Sequence, residues 1–122
     1  MATLEIRQHV GDSAVVIAVA GDIDTATVDA LVKNLGTALN EASGHPQKLL
    51  IIDLSEVTYF GSAGLNAVLG CYESAHAEGV AVRVVASADE VMRPLQVTQL
   101  DAVIRPYPTV ADAIAGGDTD QS

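Results

Sequence analysis

Cysteine, basic residues and long apolar runs are scarce in this chain of 122 residues, and each shortage removes a class of function. Cys71 is the single cysteine, which excludes an internal disulfide and any cysteine-rich zinc site. Six lysines and arginines stand against sixteen aspartates and glutamates, a formal net charge of −10. Arg7, Lys33, Lys48, Arg83, Arg93 and Arg105 are scattered singly. No basic stripe is therefore available to neutralise nucleic-acid phosphates. An acidic surface instead favours solubility and partners that carry basic patches. No uninterrupted apolar run approaches the roughly 18 residues of a membrane span, so no membrane insertion is expected. The opening MATLEIRQHV lacks the basic stretch, apolar segment and cleavage site of a secretory leader. A soluble cytoplasmic protein is the expectation.

What is present points to one compact domain. The length is enough for a real core and too short for two, and 49% apolar residues argue against disorder. TLEIRQHV and SAVVIAVAG are β-rich, and Gly11-Asp12 between them signals a hairpin. From Thr25 the period changes: Val28, Leu31, Val32, Leu35 and Leu39 share one face of a helix that Gly44 and Pro46 end. KLLIIDL reads as a strand covered on both faces. Leu65, Val68, Leu69, Tyr72 and His76 repeat the helical spacing up to Gly79, and VAVRVVA is a further strand. Ser87 and Glu90 are spaced as a capping box, but Pro94 predicts a short or kinked helix behind them. AVIRPY suits a brief edge strand, and Thr109 a cap for a last helix ending at Gly116-Gly117. The expected fold is α/β: a mixed sheet of about four or five strands, opened by a hairpin and continued by right-handed crossovers, with about four helices. The domain would span residues 1–116, with 117–122 as a loose tail.

Sites in such sheets gather at the carboxyl ends of the strands. Two loops should meet there, one over residues 21–25 and one from Asp53 to Ser62. The second contains TYFGSAGLNAV, which sets Ser62 between two glycines, after an apolar run and before a helical pattern. A nucleophile elbow needs Gly-x-Ser-x-Gly on a sharp turn, but Phe60 stands at the first glycine's place and several loop residues precede the serine. His76 lies nearly four turns along the helix, on its apolar face by spacing, while His9 and His45 belong to other elements. No catalytic residue is expected, and the protein is read as no enzyme. Neither a phosphate-binding loop with its lysine nor a dinucleotide fingerprint occurs. Asp22 and Asp24 alone are too few ligands for a metal; turn-forming and capping explain them. Two readings of Ser62 then stand. It is an N-cap eased by Gly61 and Gly64, or it accepts a phosphate. A phosphate there adds about −1.5 to −2 charges where a helix N-terminus tolerates them, and repels a partner docking over Asp22, Asp24 and Glu56. Cys71 reads as a small buried residue rather than a redox switch.

LLIIDLSEVTYFGSAGLNAVLG resembles the central signature of STAS domains, especially bacterial anti-sigma factor antagonists. Asp53-Leu54-Ser55-Glu56-Val57 and Ser62-Ala63-Gly64-Leu65 carry the likeness. AGDIDTATVDAL is similar to the family's segment before its first helix, and RPLQVTQLDAVIRPYPTVADAI, with Pro94, to its C-terminal part. The resemblance implies a regulatory binding module. The unphosphorylated antagonist binds an anti-sigma factor, usually a serine kinase, and frees a sigma factor. Phosphorylation of the serine matching Ser62 weakens the complex, and a phosphatase restores it. No cofactor belongs to the antagonist itself, because ATP would be the kinase's. The implied contact surface takes in Asp22, Asp24, Thr25, Tyr59, Phe60, Gly61, Ser62, Ala63 and Asn66. Tyr59 and Phe60 would form an apolar docking edge or pack beneath the loop, and Asp24 would contact the partner or cap the first helix. Many antagonists have aspartate before the acceptor serine, where this chain has Gly61. That departure leaves a rival: a STAS subunit docking constitutively in a lipid-transport complex or stress-signalling scaffold.

Overall fold

The computed structural model describes residues 4–116, and the tail expected over 117–122 lies outside them. β1 (Leu4–Val10) and β2 (Val15–Ile23) form the antiparallel hairpin, and Gly11 N–H donates to the Ala14 carbonyl across its turn. Then follow α1 (Val28–Ser43), β3 (Leu49–Phe60), α2 (Ser62–Ala77), β4 (Ala81–Val85), α3 (Asp89–Val97), α4 (Asp101–Ile104) and α5 (Val110–Ala115). β3 runs parallel to both β2 and β4, so the sheet is mixed in the order β1-β2-β3-β4. The fold is the α/β class the element order predicted.

Packing explains the pattern. On one face Ile17, Leu50 and Ile52 join Leu31 and Leu35 of α1, Val68 of α2, and Val91 and Leu95 of α3 in one core. On the other, Ile51 and Val85 meet Ala113 of α5. Cover on both sides is why Leu49–Ile52 is a continuous apolar run. Each fully buried Leu or Ile stabilises by roughly 1.5–3 kcal/mol. His45, buried at the edge of this packing, holds two connections together. Its Nδ1 accepts from Gln47 N–H at 3.1 Å, which leaves Nε2 to donate to the Gly11 carbonyl at 2.7 Å.

Four expectations are corrected by local chemistry, while the short helix expected around Pro94 is present. Val32 is 52% exposed, on the rim of the α1 face rather than in the core. His76 is exposed as well, one step off the buried stripe of Val68, Cys71 and Ala75. The Ser87–Glu90 box does not form, because Asp89 already opens α3 and Ala88 is its cap residue. Pro94 lies inside that helix, which ends three residues later at Val97. AVIRPY is not an edge strand. Residues 101–104 make one helical turn, which brings the described helices to five, and pairing to β4 shrinks to a bridge between Tyr107 and Val85. Arg105 at φ 52° and Pro106, which lacks an N–H, break the extended course. The cap at Thr109 does form: its Oγ1 accepts from Asp112 N–H at 3.0 Å.

Candidate functional site

The segment from Asp53 to Ser62 is strand rather than loop almost to its end. β3 continues to Phe60, pairing Asp22 with Tyr59 and Ile23 with Phe60. Two register shifts against β2 each leave one extra residue on β3. Each bulge moves the inward position by one, so the buried residues fall at Leu54, Val57 and Phe60 instead of alternating. At the second bulge Gly21 takes φ 111°, a conformation side chains resist. The extra residue there is Thr58, whose hydroxyl donates to Asp22 Oδ1 at 2.5 Å.

Asp24 builds the neighbouring turn. Its Oδ1 accepts from Ala26 N–H at 2.9 Å and Thr27 N–H at 3.2 Å. In return Thr27 Oγ1 accepts from Asp24 N–H at 3.0 Å and donates to the Asp22 carbonyl at 2.8 Å. This reciprocal arrangement has the logic of a capping box and opens the approach to α1. Both carboxylates thus have structural work and sit half-buried on the rim, while Thr25, within the turn, is exposed. No group of three or more His, Cys, Asp or Glu suited to a metal occurs among the described residues.

A single residue, Gly61, turns β3 into α2; its N–H donates to the Ile23 carbonyl at 3.2 Å. Gly61 is therefore the cap residue and Ser62 the first residue of the helix, with no side-chain cap bond at this terminus. The N-cap expectation for Ser62 is corrected: its hydroxyl is exposed and not committed to the turn. The first helical bond runs from Leu65 N–H to the Gly61 carbonyl, so the N–H groups of Ser62, Ala63 and Gly64 lie in the unbonded first turn. Asn66, one turn on, is exposed on the same side, and Ala63 is half-buried. Gly64 lets the helix press onto the sheet, since a Cβ there would lie 2.8 Å from Ile23 Cγ2 and 2.9 Å from the Phe60 ring.

Tyr59 and Phe60 divide the roles proposed for them. Tyr59 is 53% exposed, its ring across Gly61, where a Cβ would lie 3.0 Å from Tyr59 Cε2. Phe60 is 3% exposed and belongs to the core, so it supports the junction from beneath instead of forming a docking edge. Thr27 and Thr58 were missed as site residues; Thr27, three residues after Asp24, had a local signal, and Thr58 had none.

The strand–turn–helix junction is sharper than the sequence suggested, so loop length no longer argues against a nucleophilic serine. The histidines still do. His76 is fourteen residues along α2, about 21 Å at 1.5 Å per residue. His9 pairs near the hairpin turn, and His45 is bonded to Gly11.

A four-stranded mixed sheet with an uncommitted serine on the first turn of a helix, beside an acidic rim, defines a small α/β interaction domain. The chain belongs to the STAS domain family, which residues 3–113 match. It is 32% identical to the anti-sigma-F factor antagonist RsfB of Mycobacterium tuberculosis, over 93% of this chain and 88% of that protein. The crystal structure of an anti-sigma factor antagonist from Mycobacterium paratuberculosis superposes with a TM-score of 0.84 at 32% identity, covering 93% of each chain. The Bacillus cell fate determinant SpoIIAA in its phosphorylated form shares the fold, with a TM-score of 0.65, 18% identity, and coverage of 93% of this chain and 97% of that one.

Proposed function

We propose that this protein is an anti-sigma factor antagonist. It docks its Ser62 rim onto an anti-sigma factor of the serine-kinase type and so releases a sigma factor. Phosphorylation of Ser62 switches the docking off, and a phosphatase restores it. The observation that carries the reading is the exposed Ser62 hydroxyl on the first turn of α2, free of any capping duty. The unbonded N–H groups and the helix dipole there accommodate a phosphate, so modification leaves the fold intact. The same phosphate stands beside Asp22 and Asp24, where it adds like charge and bulk to the contact surface. Asp22, Asp24, Thr25, Tyr59, Gly61, Ala63 and Asn66 frame that surface, and Phe60 backs it. ATP enters only as the partner's substrate. The mycobacterial relatives named as antagonists, and a protein of this fold in a phosphorylated form, support the reading.

The test is incubation with a serine-kinase anti-sigma factor from the same genome and ATP, followed by mass mapping and binding assays. Phosphate is expected on Ser62, with binding kept in Ser62→Ala and weakened about tenfold or more in Ser62→Glu, as a buried like charge implies. Unmodified Ser62 together with wild-type binding by Ser62→Glu would overturn the switch. That outcome favours the second reading, for which Gly61 in place of aspartate is the observation: constitutive docking in a lipid-transport complex or a stress-signalling scaffold.

A further inference from the structure

The two sides of the sheet end differently. Beside β4 the Tyr107 bridge is in place, and Val84 is 1% exposed, so that edge is filled. Beyond β1 no described strand lies. Gly11 N–H donates to the Ala14 carbonyl in the same register that pairs Leu4 with Gly21. Bonded pairs therefore recur at every second residue, through His9, Arg7 and Glu5, and the N–H and C=O groups of Leu4, Ile6 and Gln8 turn away from β2. Glu5, Arg7, Gln8 and His9 are exposed, and Ile6 is half-buried. Open edges are commonly blunted by proline, lysine or a bulge. β1, LEIRQHV, has none of these: it pairs with β2 over its seven residues without a register shift.

Side chains alternate along this edge. Leu4 and Ile6 pack against the core, while Glu5 and Arg7 lie on the open face beside Ala18 and Ala20. Neither Glu5 nor Arg7 has a hydrogen-bond or ion-pair partner among the described residues. In a chain of net charge −10, β1 carries one acid and one base and is locally balanced. It is a surface on which two copies can approach without the repulsion that the rest of the chain imposes.

We infer that β1 pairs antiparallel with β1 of a second copy, about a two-fold axis at Ile6. Ile6 then faces Ile6, Leu4 faces Gln8, and Glu5 of each copy faces Arg7 of the other, the reciprocity of a two-fold interface. The backbone groups bonded in this register are the ones β2 leaves outward. Charge selects it, because like charges directly opposite destabilise a pair and opposite charges stabilise it. An axis at Glu5 or at Arg7 would set that residue against itself, and an axis at Gln8 would leave Glu5 with no arginine opposite. There is room for the helices. α1 packs on β2 more than on β1, and the two β2 strands would lie three strand spacings apart, about 14 Å. Packed helices need about 8–10 Å. The axis is perpendicular to the joined sheet, so the two Ser62 rims point in opposite directions and both stay open. The dimer offers two docking sites in place of one.

Sedimentation velocity over a protein concentration series at physiological ionic strength tests the pairing. A weak, concentration-dependent dimer is expected, as an interface below the standard size implies. Glu5→Arg and Arg7→Glu each put like charges in both pairs, and each alone is expected to dimerise about tenfold or more weakly than wild type. Mixed in equal amounts they are expected to form a heterodimer at wild-type strength, since every pair is then of opposite sign. That heterodimer carries the same total charge as the wild-type dimer, so net repulsion does not account for the rescue. Gln8→Pro removes an N–H that β2 does not use, and is expected to abolish the dimer while keeping the far-ultraviolet circular dichroism of wild type. Ser62→Glu is expected to dimerise as wild type does, which keeps this result separate from the phosphorylation switch. A wild-type chain that stays monomeric throughout overturns the proposal. So does a dimer indifferent to Gln8→Pro, or a mixture no stronger than its two components. Slow hydrogen exchange at the Ile6 and Gln8 amides in dilute monomer would assign the edge to another part of the same chain, and overturn it too.

Discussion

A methyl group at Gly64 would lie 2.8 Å from Ile23 Cγ2 and 2.9 Å from two atoms of the Phe60 ring, whereas at Gly61 it would meet only the Tyr59 ring, at 3.0 Å or more. Ile23 and Phe60 are core residues with nowhere to retreat, but Tyr59 is the exposed end of a movable side chain. Gly64→Ala is therefore expected to destabilise by about 1–3 kcal/mol, the range for overpacking a filled core. Gly61→Ala should cost less, about 0.5–1 kcal/mol, because alanine is a poorer N-cap than glycine but only Tyr59 has to move. Urea unfolding separates the two, and equal losses would refute this account of the junction. Cys71 makes a pH prediction. It is 8% exposed, and burial pushes its thiol from 9.0 up to about 11. The unfolded chain thus loses this proton near pH 9 while the folded chain keeps it. Fewer protons bound in the unfolded state mean that stability falls as pH rises from 9 towards 11. Cys71→Ala should flatten that part of the stability–pH curve. Iodoacetamide should label native Cys71 slowly below pH 9, since the thiolate is the nucleophile.

At the scale of elements, the turn from β2 to α1 offers a way to separate folding from docking. Asp24 Oδ1 holds two N–H groups of that turn. Asp24→Ala is expected to cost about 1 kcal/mol, as loss of a cap does. Asp24→Asn keeps the acceptor oxygen and should keep most of the stability while removing the charge. A partner that loses affinity for Asp24→Asn at unchanged thermal midpoint reads the carboxylate itself; unchanged affinity leaves Asp24 a structural residue. The elements with intact periodicity, α1, α2 and the hairpin, were legible in the sequence. So was the family, because the Asp53–Val57 and Ser62–Leu65 motifs are local. The end of β3 was not legible. Two bulges place Leu54, Val57 and Phe60 inward at intervals of three, a pattern that alternation cannot reveal and that β-branched Val57 and Thr58 only hint at. The position of Ser62 was missed for the same reason: with β3 ending at Phe60, only Gly61 remains to serve as cap. AVIRPY was misread because strand propensity in Ala102–Ile104 is overridden by the left-handed Arg105 and by Pro106. The Asp22–Thr58 bond joins residues thirty-six positions apart, and no local rule predicts such a pair.

Over the whole molecule, ten net negative charges share a body whose radius of gyration is about 14 Å for this length. At 0.01 M salt the screening length is about 30 Å, so every carboxylate feels most of the others; near 1 M it is about 3 Å. The compact state carries that repulsion and the unfolded chain relieves much of it by expansion. Added sodium chloride is therefore expected to raise the thermal midpoint at neutral pH. A gain of roughly 1 kcal/mol amounts to several degrees in a domain of this size. Replacing exposed Glu5 and Glu73 by lysine changes the net charge from −10 to −6 by adding four, and should shrink the salt response. Sucrose, which favours the folded state by exclusion rather than screening, should act equally on both forms. A midpoint that does not move with salt, or a double variant as salt-sensitive as wild type, would show that the acidic surface is already neutralised locally. A phosphate on Ser62 would then have little like charge to work against, and bulk alone would have to carry the switch.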